Sequence, residues 1–157
     1  MDRTDPMELK DVLLILHIAG AGTWLGANVV QAMAPSLAAR QGPAAQAGWY
    51  RVAAKLSSRL YMPAAILLLA TGIWMVLLVD AYGFGTLFVT IGFAMVLIGA
   101  VLGILVFDRG SERAATAIDG GDQAAIRSAT GRLAAFGVLD TALLLLTITA
   151  MVLRLGA

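Results

Sequence analysis

The chain reads as an all-α polytopic membrane protein, a bundle of four transmembrane helices in one domain over residues 1–157. Three observations predict this. The composition is 60% hydrophobic and 13% charged with a mean hydropathy of +0.86, about half the charge of an average soluble domain. Long runs lack Lys, Arg, Asp and Glu, each near the roughly 20 residues a helix needs to cross a bilayer. No segment alternates apolar and polar residues, and an open sheet in lipid would leave backbone groups unpaired.

The first charge-free run, from Asp11 to Arg40, predicts a helix over 11–33. "AMAPS" at 32–36 has the small residues of a signal-peptide cleavage site. The segment before it is acidic, its apolar run is long, and Pro35 would follow the cut, so the expectation is an uncleaved helix. The run from Arg59 to Asp80 predicts a second span over 57–79, kinked at Pro63. The run from Asp80 to Asp108 predicts a third over 86–107. The stretch from Arg132 to Arg154, interrupted only by Asp140, predicts a fourth over 133–154.

The connecting segments carry the charge. Arg40, Arg51, Lys55, Arg59, Arg109, Arg113, Arg127 and Arg132 fall on the face of the two long loops, and Arg3, Lys10 and Arg154 on the other. Eight against three predicts cytoplasmic loops and both termini outside. "DGG" at 119–121 is a turn signal, and Asp122 is placed to cap a helix running into the fourth span. Helices three and four then form a hairpin reaching beyond the membrane. Trp49 and Tyr50 are expected at headgroup level.

At 100° per residue, His17, Ala21, Trp24, Asn28 and Gln31 share one face of the first helix. Gly22 and Gly26 share the opposite face, a GxxxG pair suited to close helix approach. Lipid penalises exposed polar groups, so the polar stripe is expected to face the bundle interior or a partner subunit. The second helix aligns Ser57, Tyr61, Ala64, Leu68, Thr71 and Met75. The third aligns Gly85, Gly92, Gly99 and Gly103, read as packing. The fourth aligns Asp140, Leu144, Thr147 and Met151. Helical rise puts His17 and Met75 at similar depths, about 9 and 8 Å from the outer boundary. It puts Asp140 about 10 Å from the cytoplasmic one, level with Trp24 and Asn28.

His17 is the only histidine, and a neutral imidazole is a ligand for haem or copper. Met75, Met151 or His17 of a second copy would be its second ligand. The plainer alternative is a histidine hydrogen-bonded within the bundle. Asp140 is either a proton or ion pathway carboxylate, or a structural acid paired with Arg59 or hydrogen-bonded to Trp24 or Asn28. Without cysteine there is no thiolate metal site or iron–sulfur cluster. A net charge of +1 argues against nucleic acid as a partner. With one histidine the chain builds no all-histidine zinc site of its own, and it has no phosphate-binding glycine loop, so the reading leans away from an enzyme. The partners expected are the lipid bilayer and a second copy or another membrane protein.

"LLILHIAGAGTWLGANVV" and "SSRLYMPAAILLLATGIWM" resemble the copper-resistance D and protoporphyrinogen-oxidase J group of bacterial membrane proteins. The nearest likeness is to an uncharacterised four-helix branch described only as predicted integral membrane proteins. The shared residues are Leu16, His17, Ile18, Trp24, Leu25 and Gly26, then Arg59, Pro63, Thr71 and Gly72. The resemblance implies a bundle in the bacterial inner membrane with its first-helix histidine near the outer side. In the oxidase-like members that histidine is associated with haem b and works with a third-helix lysine. Here the lysines are Lys10 and Lys55, and neither lies in the third span. The function expected is an inner-membrane protein binding haem b or a metal through His17, with Trp24, Asn28 and Met75 around it. A non-catalytic membrane scaffold or accessory subunit, and an ion or proton pathway through Asp140, are the alternatives.

Overall fold

The computed structural model describes residues 8–78 and 81–157. Arg3, Val79 and Asp80 of the sequence reading lie outside them. The described residues form helices and no strand: α1 (Leu9–Arg40), α2 (Pro43–Ala53), α3 (Met62–Leu78), α4 (Leu87–Leu102), α5 (Arg109–Asp119) and α6 (Gln123–Val152). Four continuous helical stretches, Leu9–Arg40, Pro43–Leu78, Leu87–Asp119 and Gln123–Val152, are long and apolar enough to cross a membrane. The fold class is as the sequence predicts. Around the bundle α1 packs on α3, α3 on α4, α4 on α6 and α6 on α1.

The helices overrun the expected spans, because charge ends an apolar run without ending a helix. α1 continues through Pro35 to Arg40. Ala34, Leu37, Ala38 and Ala39 favour helix, and contact with α2 supports the extension. The segment between the first two expected spans is therefore largely helical. The expected kink at Pro63 takes a specific form. Proline has no N–H for the carbonyl four residues back, and a single wide π-type turn, Ser57–Tyr61, immediately precedes it. Met62 N–H reaches the Ser57 carbonyl, five residues back, across this turn.

A second wide turn, Gly103–Asp108, joins α4 to α5. The two turns face each other: a Cβ on Gly103 would lie 3.2 Å from Ser57 Oγ. Beyond them α2 and α5 build a separate small core from Ala47, Tyr50, Ala114, Ala115 and Ile118, with Trp49 packed against it. Tyr50 is buried between helices, because an alanine-rich partner face is available to cover it. Arg51 also pairs with Asp119 across these helices.

The turn at 120–122 follows its sequence signal. Gly121 takes φ +68°, where a side chain would be strained. Asp122 Oδ1 accepts the Ala124 and Ala125 N–H groups, both at 3.0 Å, and so caps α6. At the far end of the bundle, the Leu155 carbonyl accepts Phe88 N–H at 3.1 Å, closing the first turn of α4 with the C-terminal tail.

The membrane core contains Trp24, Ala65, Leu68, Met95, Val96 and Leu144. Glycines shape it unevenly. Gly92 and Gly99 of α4 leave room for Met151 and the Trp24 indole, so this stripe receives side chains. A Cβ added to Gly22 or Gly26 of α1 would meet nothing within 4 Å, so the expected GxxxG contact is not made among the described residues. A Gly99→Ala variant is therefore expected to lose about 1–3 kcal/mol through the collision with Trp24, and a larger side chain more. Gly22→Ala should match or slightly exceed the parent because alanine favours helix. Thermal unfolding in detergent checks both; equal midpoints for the two variants would contradict the packing assignment.

Candidate functional site

The polar stripe of α1 meets the interior as expected, and the structure divides it between two places. His17, towards the terminal face, turns to α3. Its Nδ1 lies 2.9 Å from Thr71 Oγ1. The Thr71 hydroxyl donates to the Leu67 carbonyl at 2.6 Å, with Leu68 O at 3.3 Å. With that proton committed to its own helix, Thr71 oxygen acts as acceptor and His17 Nδ1–H as donor. In the neutral ring Nε2 then carries the lone pair. Nε2 has no hydrogen-bond partner among the described residues. The His17 side chain as a whole is half-buried.

The His17 ring also fills the space left by Gly72, whose Cβ would sit 3.3 Å from Cε1. Thr71 and Gly72, one turn before Met75, are thus the residues beside the ring.

The deeper part of the stripe converges on Asp140 of α6, which is 2% exposed. Trp24 Nε1–H and Asn28 Nδ2–H donate to its Oδ2 at 3.0 and 2.8 Å. Asn28 Nδ2 also donates to Thr141 Oγ1 at 3.2 Å. Tyr61 O–H donates to Asn28 Oδ1 at 2.7 Å, and Gln31 Nε2–H donates to Tyr61 O at 2.8 Å. The amide orientation follows from its neighbours, since a flipped Asn28 would set oxygen against carboxylate oxygen. Trp24 and Tyr61 add an edge-on aromatic contact at 5.6 Å. Every side-chain bond in the line from Gln31 through Tyr61 and Asn28 points towards Asp140.

Asp140 Oδ1 is buried without a partner, 3.6 Å from where a Gly99 Cβ would lie. A proton placed there makes the side chain neutral and leaves both bonds at Oδ2 intact. The expected level of Asp140 with Trp24 and Asn28 is thus realised as direct bonding. The expected Arg59 pair is not: Arg59 is exposed and lines a shallow outer cleft with Gly20, Thr23 and Pro63. Its long stem leaves the charged head free to snorkel towards water. Trp24 and Asn28, expected beside a His17 cofactor, are committed to Asp140.

Sequence reasoning placed Tyr61 and Thr71 on the inward stripe of the second helix without singling them out. It passed over Thr141 and the acid at the wide turns. Just past the third span, Asp108 has Oδ1 buried without a partner. Burial pushes its carboxyl above the ordinary range, the nearby Ser57 hydroxyl lowers it partway, and Glu112 raises it further. The proline and glycine flanking these turns are the only sequence signal for that meeting.

Removing the Asp140 acceptor should be costly while swapping its chemistry should not. Asp140→Leu strands the Trp24 and Asn28 donors and is expected to cost about 2–5 kcal/mol, given roughly 1–3 kcal/mol for each buried group left unpaired. Asp140→Asn keeps an acceptor oxygen and should stay within about 1 kcal/mol of the parent. Detergent unfolding midpoints measure the difference, and equal losses would refute the network's structural role.

Comparison with curated proteins gives no match, and comparison with solved structures gives none. The family model described as predicted integral membrane protein (DUF2269) matches residues 11–155, and the chain belongs to this family of integral membrane proteins.

Proposed function

We propose that this is a bacterial inner-membrane protein that holds haem b through His17, its helical hairpin in the cytoplasm and both termini outside. The observation that carries the reading is the hydrogen-bond order around the imidazole. Nδ1–H is directed at Thr71 Oγ1, which leaves the lone pair on Nε2 of a half-buried ring. Metal-binding histidines are held in this way, with the other ring nitrogen anchored by a neighbouring acceptor.

The donor set favours haem over a bare ion. Among the described residues no group of three or more His, Asp or Glu gathers as a metal site. Structural and catalytic zinc sites take three or four protein ligands, whereas a porphyrin supplies four nitrogens and asks the protein for one or two axial ligands. Bound haem b would supply a one-electron couple. The protein's part is to hold the Nε2 lone pair in place and, with Thr71 and Gly72, to fix the ring plane. His17 of a second copy would be the symmetric choice of second ligand. The resemblance to the copper-resistance D and protoporphyrinogen-oxidase J group supports the same reading, as does the excess of basic residues on the loop face.

The test is the absorption spectrum of protein purified in detergent from haem-supplied cells. A Soret band is expected, lost in His17→Ala and weakened in Thr71→Val with the fold retained. A spectrum with no Soret band, or one unchanged in His17→Ala, would sink the proposal.

A second reading rests on the unpartnered Asp140 Oδ1. It makes the carboxyl a proton-exchange position inside the bundle, its other oxygen held by the Gln31–Tyr61–Asn28 line. Infrared difference spectra across neutral pH would then show a carboxyl band that disappears in Asp140→Asn. A band that stays constant across that range would count against it.

A further inference from the structure

We propose that the cleft between α5 and α6 binds the phosphodiester headgroup of an anionic phospholipid. The cleft has a volume of about 800 Å³ and lies where the helical hairpin leaves the membrane bundle. Arg109 and Arg113, one turn apart on α5, line it opposite Arg132 of α6. Among the described residues none of the three pairs with a carboxylate within salt-bridge distance. Arg132 stands over the Phe136 ring at 5.7 Å, which holds its plane and leaves its N–H groups available.

The charge is graded along the cleft. Asp122 also lines it, but at the hairpin tip, ten residues and about 15 Å of helix from Arg132. Its Oδ1 is engaged in capping α6. Glu112 is the remaining acid, so the end nearest the bundle holds three guanidiniums against one carboxylate. The floor there is apolar. Leu105 and Val106 come from the wide turn after α4, and Leu105 is 52% exposed on the outside of the bundle. Gly110 lets Leu133 close against α5 beneath the arginines.

A basic cavity over an apolar floor at the end of the membrane spans matches a molecule with an anionic head and acyl tails. A free anion would use only the upper half. Basic pockets between transmembrane helices at the cytoplasmic boundary hold acidic lipid heads for this reason. The inference is independent of the haem reading, because it uses no residue near His17.

The test is native mass spectrometry of the full chain in detergent, offered phosphatidylglycerol, phosphatidylcholine or inorganic phosphate. One phosphatidylglycerol should be retained in preference to phosphatidylcholine. Arg132→Gln should weaken it about fivefold and Arg109→Gln with Arg132→Gln about twenty-fivefold, from roughly 1 kcal/mol for each basic residue near a membrane surface. Arg127→Gln, on α6 but outside the cleft, should bind as the parent does. Circular dichroism checks helix content, and if the double variant unfolds, the single Arg132→Gln decides. Equal retention of both lipids, equal weakening by Arg127→Gln, or capture of inorganic phosphate without phosphatidylglycerol would overturn the proposal.

Discussion

The bundle is organised around one carboxyl group. Asp140 Oδ2 accepts one hydrogen bond from Trp24 and another from Asn28, joining α6 to α1 at the centre of the molecule. In lipid, apolar faces gain little from leaving one another's company, so packing and interhelical hydrogen bonds select the helix arrangement. Each such bond is worth only about 0.6 kcal/mol on average. The larger effect is that other arrangements would leave the indole, the amide and the acid unpaired. Gly99 belongs to the same constraint, because the Trp24 ring reaches Asp140 only across a residue without a side chain. Tyr61 extends the constraint to the segment that leads into α3.

The two wide turns mark where the long helices pass from one apolar core to the other without interrupting them. Pro63 removes one backbone donor from the second stretch, and Gly103 opens the third. The turns meet at Ser57. Above this level α2, α5 and the first half of α6 form a core of their own from alanine, Tyr50 and Ile118. The hairpin is thus held at its base by the bundle and along its length by α2. That rigidity keeps Arg109, Arg113 and Arg132 around one cleft.

His17 occupies a different environment from the rest of its stripe. The α1 face that carries Trp24 and Asn28 towards α6 carries His17 towards α3, since successive stripe positions are spread over an arc and the ring of helices encloses it. Trp24 is buried while His17 is half-buried. One stripe therefore supplies an interior network and a half-buried imidazole.

Sequence alone determined the membrane class, the four long helices, the turn at Gly121 with its Asp122 cap, and which face of each span is polar. These depend on local chemistry: hydropathy over some twenty residues, φ at a glycine, and 3.6-residue periodicity. It also placed Asp140 at the depth of Trp24 and Asn28, because helical rise is constant. Tertiary structure decided the partners. Thr71 bonds His17, Arg59 points outward, Tyr50 is buried between helices, and Gly22 and Gly26 meet nothing among the described residues. Those outcomes depend on the rotation and vertical register of one helix against another. Two wide turns alter that register, and no period within a single helix encodes it.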